Sequence, residues 1–172
     1  MAYMNQDKKR VIKAALDKIA KPYGIKYSLR VRNHSAIVCT ITAAPIDFIG
    51  NFAAVSENRN LKAIIDSNYL QVNPYWYQEH FSGKPLEIIG QLIDALKAAG
   101  HYDNSNAQID YFDTAYYFDL NIGDYNRPFK LTAPSIRQAG ALISEEAIKA
   151  KILALGCGAD FVENRLIVRV LG

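Results

Sequence analysis

The chain has 172 residues, of which 50% are hydrophobic and 22% charged, and its formal net charge is +3. A chain of this size and composition can bury a sizeable core in one domain, which excludes bulk disorder and collagen-like or linker character. No run of 18 apolar residues occurs, and the charged first ten residues lack a following apolar stretch, so the sequence predicts neither a membrane span nor a secretory signal.

The N-terminal segment predicts an amphipathic helix over residues 5–21. Asn5 or Asp7 can cap its start, and Pro22 with Gly24 ends it. Its apolar positions recur at spacings of three and four, as a helix with one buried face requires. They are Val11, Ile12, Ala15, Leu16 and Ile19.

A β-hairpin follows, because the hydrophobic period changes to two. Residues 27–32 and 37–42 alternate apolar and polar side chains on either side of the turn Asn33-His34-Ser35. This alternation places Arg30 and Arg32 side by side on the polar face of the hairpin.

The two cysteines predict buried structural thiols. Cys39 lies on the apolar face of the second strand, and Cys157 lies in another apolar stretch far along the chain. Two widely separated cysteines do not make a disulfide framework, which favours a reducing compartment.

The remaining elements alternate short helices with short strands. An irregular segment starts at Pro45 and continues through Phe52. The elements predicted after it are a helix at 58–66, a strand at 69–72, an aromatic loop at 73–83, a helix capped by Ser82 and ended by Gly100, a polar loop at 101–110, a strand at 115–122, an extended piece between Pro128 and Pro134, a helix from Ser144 to Leu155 and a strand at 166–170.

This order predicts an α+β fold, an antiparallel sheet with helices packed on one face. A main domain over residues 1–129 precedes a C-terminal extension over 130–172, a strand–helix–strand segment that either stands apart or belongs to the same domain.

Charge is segregated along the chain. Residues 1–32 hold nine Lys or Arg against two Asp, whereas residues 87–124 hold seven acidic residues against Lys97 alone. Such polarity suits binding of nucleic acid at the basic end and of a basic groove at the acidic end. Mutual neutralisation of the two segments in the fold is the alternative interpretation.

The sequence predicts no metal centre, cofactor or catalytic residue. His34, His80 and His101 lie in three separate segments, and no two of them have the spacing that places two imidazoles on one helical face. Phosphate-binding glycine loops and a nucleophile elbow are absent from the sequence. Asp110 and Asp113 are suited to acid–base chemistry, but nothing distinguishes them from ordinary loop carboxylates.

Aromatic residues are concentrated in the middle of the chain. The chain has 11 Tyr, 7 Phe and 1 Trp, and 13 of these 19 lie between Tyr69 and Phe129. Consecutive rings at 75–77 and 116–118 cannot all enter one core, so at least one of each group must face another surface. Exposed Tyr and Trp are favoured anchors of interfaces, whereas rings that line a core and its rim are the alternative.

Three segments resemble a family of small bacteriophage, prophage and mobile-element proteins that has no established activity. They are 26–38, 73–83 and the pair 110–113 with 119–123, and the likeness covers roughly residues 1–130. A looser similarity runs to the large polyvalent protein-associated domains. The resemblance implies an accessory protein acting in the bacterial host cytoplasm, and it supplies no catalytic residue.

We therefore expect a non-enzymatic protein that binds a host protein or nucleoprotein complex, as an anti-defence inhibitor of the anti-CRISPR or anti-restriction type does. Its surface would combine hairpin, aromatic-loop and acidic side chains, and the sequence leaves homodimer formation open. The expected residues are Arg30, Arg32, His34, Tyr75, Trp76, Tyr77, His80, Asp110, Asp113, Asp119 and Asp124.

Two other functions are compatible with the sequence. The first is nucleic-acid binding through the basic N-terminal helix with Arg30 and Arg32, which predicts an affinity that falls steeply with salt. The second is a small hydrolase or nucleotide-handling enzyme that uses His34, His80 and the aspartates.

Overall fold

A computed structural model describes residues 2–57, 59–106, 108 and 111–132, and the backbone of 157–162 and 165–170. The chain divides into two compact units, Met1–Ala133 and Pro134–Gly172. The elements of the first unit are α1 (Gln6–Ala20), β1 (Lys26–Arg32), β2 (Ala36–Ala44), α2 (Phe48–Val55), α3 (Leu61–Ser67), β3 (Leu70–Val72), α4 (Gly83–Lys97), β4 (Tyr117–Ile122) and β5 (Lys130–Leu131).

The second unit contains an antiparallel pair of strands, β6 (Cys157–Val162) and β7 (Arg165–Val170). The strand predicted at 166–170 corresponds to β7, whereas β6 was not predicted. The predicted helix between Ser144 and Leu155 lies outside the described residues.

The first unit is built on a mixed sheet with the strand order β1-β2-β4-β3, and β5 continues beside the end of β2. β1 and β2 are antiparallel, as are β3 and β4, but β2 runs parallel to β4 and to β5. The α+β prediction is confirmed, but the sheet is mixed where an antiparallel one was predicted, because β2 pairs parallel with β4 and β5. The long connection through α2, α3 and α4 allows this pairing because it returns the chain to the same end of the sheet.

The helix α1 begins where the sequence predicts. The side chain of Asn5 accepts a hydrogen bond from the backbone N–H of Lys8 at 2.9 Å, which is the N-cap geometry. Ile12, Leu16 and Ala20 are its buried residues, and Ala15 and Ile19 pack against the core. The predicted stripe therefore faces the core except at Val11, which is 50% exposed at the margin of the stripe.

One side of the sheet and the helices share a single core. Ile37, Cys39 and Ile41 of β2 join the buried residues of α1, α2 and α4 in one hydrophobic cluster. The alternate residues Ala36 and Val38 are also buried but lie outside this cluster. The described helices therefore pack on one face of the sheet.

The prediction of an irregular segment through Phe52 is wrong, because α2 occupies Phe48–Val55. Asp47 caps this helix by accepting a hydrogen bond from the N–H of Gly50 at 2.7 Å. The segment is apolar nearly throughout, with Phe48, Ile49 and Phe52 buried. It therefore lacks the polar face by which a surface helix is recognised in a sequence.

Candidate functional site

The face of the sheet opposite the helices carries charged and polar side chains. Arg30 pairs with Val38 in the register of β1 and β2, and Val38 pairs with Asp119 in that of β2 and β4. Because side chains alternate along a strand, this row defines one face, which we call the outer face. Its residues are Ser28, Arg30, Arg32, Ala36, Val38, Thr40, Gln71, Tyr117, Asp119 and Asn121.

The two arginines of the outer face differ in their partners. The Nη2 atom of Arg32 lies 2.7 Å from Asp119 Oδ2. This ion pair connects β1 with β4 across the intervening strand β2. An exposed ion pair of this kind adds little stability, but it holds the guanidinium in place. Arg30 is exposed and has no carboxylate partner within the described part of the chain. The outer face thus presents one oriented guanidinium and one that is unpaired.

The predicted charge segregation is partly neutralised, mostly within short segments. Arg10 pairs with Asp7, and the ammonium groups of Lys13 and Lys21 lie 2.9 and 3.4 Å from the carboxylate of Asp17. Among the described residues, Arg32–Asp119 is the ion pair that joins the basic N-terminal segment to the acidic one.

The aromatic loop exposes two of its three consecutive rings. Tyr75 is 74% exposed and Trp76 is 56% exposed. The backbone N–H of Tyr75 donates to Asn73 Oδ1 at 2.9 Å, which fixes the start of the loop. Tyr75 also lines a shallow hollow of about 430 Å³ together with Asp119 of the outer face. The prediction that rings in this group face outward is confirmed, and the loop adjoins the outer face.

Tyr77 and His80 lie apart from this exposed pair and serve packing. Tyr77 is half-buried and lies close to α4, where a Cβ atom at Gly90 would come within 3.2 Å of its hydroxyl. The Nδ1 atom of His80 lies 3.2 Å from Ser56 Oγ, and its ring centroid is 5.6 Å from that of Phe52. The loop therefore sends Tyr75 and Trp76 to the surface and Tyr77 and His80 towards the helices.

His34 is exposed in the turn between β1 and β2. Its backbone and that of Asn33 are left-handed, with φ of +51° at both residues. The carbonyl of His34 accepts a hydrogen bond from the N–H of Met4 at 2.7 Å, so the chain before α1 lies against this turn.

The acidic residues do not form one surface. Asp119 lies on the outer face, and Asp124 lies in the turn after β4, where its side chain accepts from the N–H of Asn126 at 3.1 Å. Asp113 belongs to the loop before β4, and its N–H donates to Ser105 Oγ at 3.1 Å. Asp110 lies outside the described residues.

Tyr117 is an outer-face residue that is not among the predicted surface residues. It is 51% exposed and pairs with Ala36, beside Arg32 in the next strand. The alternation along β4 already places Tyr117 on the same side as Asp119, and this was the available signal. Its ring faces outward while that of Tyr116 is buried, as the consecutive aromatic residues predict.

Burial shifts the pKa of two titratable groups near the core, Cys39 and His101. Cys39 is buried, and burial raises the pKa of its thiol to about 12, so it is an inert core thiol as predicted. The Cys157 side chain lies outside the described part. Burial also lowers the pKa of His101, whose ring packs edge-on against Tyr116 and Phe118 with centroids 5.1 Å apart in each case. Within the described residues, no three His, Cys, Asp or Glu side chains converge as metal ligands do.

Comparison with known proteins identifies no relative. No protein-family model matches the sequence, and neither comparison with the curated proteins nor comparison with the solved structures finds a match. The resemblance to phage and mobile-element proteins therefore stays a prediction. None of the described helices is both long and apolar enough to cross a membrane.

Proposed function

We propose that this chain is a non-catalytic binding protein whose contact surface joins the outer face to the exposed end of the aromatic loop. The observation that supports this is that Tyr75 lines one hollow with Asp119, whose ion pair with Arg32 crosses the outer face to β1. Arg30 lies in the same row of the outer face as Asp119. Tyr, Trp and Arg are the side chains that most often dominate binding energy at protein interfaces.

A protein partner suits this surface better than a bare nucleic acid. Asp119 lies in the middle of the outer face and already pairs with Arg32. A carboxylate at this position repels phosphate groups, whereas a protein partner can pair with Arg30 and pack on the exposed rings.

We propose a bacterial host protein or nucleoprotein complex as the partner, with inhibition of a host defence system as the outcome. This setting is supported by the resemblance of segments 26–38 and 73–83 to phage and mobile-element proteins. Action in the bacterial cytoplasm belongs to the same proposal.

The proposal is tested by quantitative pull-down from bacterial lysate with the full chain. A stoichiometric partner is expected, and its recovery should fall at least about tenfold with Arg30→Glu or with Tyr75→Ala combined with Trp76→Ala. The control variants are Arg10→Glu on α1 and Tyr125→Ala, a ring that is 80% exposed in the turn after β4.

Trp76 is the one tryptophan of the chain, so its emission reports directly on this surface. Addition of the purified partner should shift the emission to shorter wavelength as the indole loses contact with water. Recovery of no stoichiometric partner, or equal recovery by the surface and control variants, contradicts the proposal.

A further inference from the structure

β1 forms an edge of the sheet. It is seven residues long, and only its β2 side is paired with another strand among the described residues. Alternate residues of an edge strand direct their N–H and C=O groups away from the sheet. Such an edge is a template to which another extended segment can add.

Two hollows lie end to end along this edge. The first, of about 470 Å³, lies between α1 and the beginning of β1 and includes Lys9 and Leu29. The second, of about 570 Å³, lies beside the end of β1 and includes Gln6 and Val31. Leu29 and Val31 are two residues apart on one strand face, a spacing of about 7 Å. This equals the spacing of alternate side chains on a strand added to β1.

The first hollow combines an apolar floor with a positive rim. Ala20, Ile25 and Leu29 contribute apolar surface. Four lysines line the hollow against the single carboxylate of Asp17, and they are Lys9, Lys13, Lys21 and Lys26.

Asp17 does not neutralise this rim. It pairs with Lys13 and Lys21, whereas Lys9 and Lys26 have no carboxylate partner within the described residues. The rim therefore keeps a net positive charge, and the exposed Arg30 adds to it from the outer face of the same strand.

We propose that the β1 edge binds an extended acidic segment of a partner protein, which adds to the sheet as a further strand. The backbone of the segment would pair with β1, its alternate side chains would enter the two hollows, and its carboxylates would meet Lys9 and Lys26. Main-chain pairing gives affinity in this mode of recognition, and the pockets for alternate side chains give specificity. The inference shares Arg30 with the proposed contact surface, but it rests on the edge of β1 and the two hollows and depends neither on Tyr75 and Trp76 nor on the proposed function.

Other occupants fit the edge less well. A phosphate backbone matches the lysines, but it leaves the backbone N–H groups of β1 and the apolar floor without matching partners. A second copy of β1, paired antiparallel about Leu29, would set Lys26 opposite Arg32, and like charges directly opposite each other destabilise a strand pair.

The experiment screens the full chain against a bead library of nine-residue peptides. Asp or Glu occupies every second position of each peptide, and the other positions are varied. Selected peptides, labelled with fluorescein, are titrated by anisotropy. Combined Lys9→Glu and Lys26→Glu substitution should weaken binding at least about tenfold, because it reverses two charges that face the peptide. Lys18→Glu, at an exposed α1 lysine outside the hollow, is the matched control and should change it less than about twofold.

Backbone methylation of the peptide separates strand addition from simple charge attraction. Two peptides are compared, one with N-methyl groups on the odd-numbered amides and one with them on the even-numbered amides. Only one of the two should lose binding, because only every second amide of an added strand faces β1. Trp76→Ala should leave peptide binding unchanged. The strand-addition proposal and the proposed function can therefore be contradicted independently of each other.

Four results would overturn the inference. The first two are that no peptide is enriched and that both methylated peptides lose affinity equally. The third is that a labelled single-stranded DNA 12-mer, and not the peptides, binds with the same dependence on Lys9 and Lys26. The fourth is that sedimentation shows a homodimer whose stability Lys26→Glu changes.

Discussion

Asp17 links the first helix to the first strand through one carboxylate. Its Oδ1 atom accepts a hydrogen bond from the Tyr27 hydroxyl at 2.6 Å, and its Oδ2 atom pairs with Lys13 and Lys21. The hydrogen bond from Tyr27, followed by the lysines, lowers the pKa of Asp17 from 3.8 to about 2. Burial, followed by the same contact with Asp17, raises the pKa of Tyr27. The ionised carboxylate is therefore part of the folded structure.

We expect Asp17→Asn to lower the free energy of unfolding by about 1 kcal/mol at pH 7, since it removes a charged hydrogen bond at a partly exposed site. The pKa is depressed in the folded state, so the stabilisation is present above about pH 4 and is lost as the pH falls towards 2. Urea unfolding at pH 7, 4 and 2.5 measures this difference between the variant and the wild type.

The matched control is Asp94→Asn, at an exposed carboxylate of α4. It should change stability by less than about 0.5 kcal/mol at each pH. A destabilisation by Asp17→Asn that stays constant from pH 7 to 2.5 would contradict the role assigned to the ionised carboxylate.

At the scale of elements, backbone from three segments meets closely where β4 ends. Gly123 has φ +72°, and a Cβ atom there would lie 2.4 Å from the carbonyl oxygen of Asn68 and 2.7 Å from the backbone nitrogen of Phe129. That carbonyl accepts a hydrogen bond from the same nitrogen at 2.9 Å, and the Gly123 N–H donates to Ile41 at 2.8 Å. The end of α3, the end of β4 and the chain leading to β5 thus meet at a position that admits only glycine.

We expect Gly123→Ala to destabilise the first unit by about 3 kcal/mol or more, because backbone atoms must move to admit the methyl group. Gly100→Ala is the control, since Gly100 has a similar φ of +75° but nothing within 4 Å of a Cβ. The control should cost about 1 kcal/mol, the price of the left-handed conformation alone. Stability is measured by thermal or urea unfolding. An equal loss of stability in Gly123→Ala and Gly100→Ala would show that crowding at Gly123 is unimportant.

At the scale of the whole molecule, most of the described buried apolar residues form one hydrophobic core within the first unit. Its buried members run from Met4 to Phe129, and Phe129 packs edge-on against Phe48 with ring centroids 6.2 Å apart. The first unit therefore contains a hydrophobic core of its own.

We expect a fragment of residues 1–133 to unfold in one cooperative urea transition. A fragment of residues 1–128, which lacks Phe129 and β5, should lose about 3–5 kcal/mol relative to it, as truncation of a buried Phe does. Absence of a cooperative transition in the longer fragment, or equal stability of the two, would contradict this division of the chain.

Local pattern was sufficient for much of the fold. The three- and four-residue spacing and Asn5 predicted α1, and the two-residue period predicted the β1–β2 hairpin with Arg30 and Arg32 on one face. The parallel pairing of β2 with β4 was not predictable, because a period of two fixes which way side chains point but not which strand lies alongside.

The candidate site shows the same limit. Ring density predicted that part of the aromatic loop is exposed, yet it could not distinguish Tyr75 and Trp76 from Tyr77 and His80, whose directions depend on α2 and α4. The contact of Arg32 with Asp119 required the strand order, since the two residues are far apart in the chain.

The turn between β1 and β2 determines on which face of the sheet Arg30 and Arg32 lie. Ser35 N–H donates to the Arg32 carbonyl at 3.2 Å around Asn33 and His34, whose φ values have the signs of a type I′ turn. If this corner were remade one residue longer or shorter, β1 would slide by one position, and both guanidiniums would rotate from water into the apolar interior. A change in the length of this turn would therefore remove Arg30 and Arg32 from the outer face although both arginines remain in the sequence.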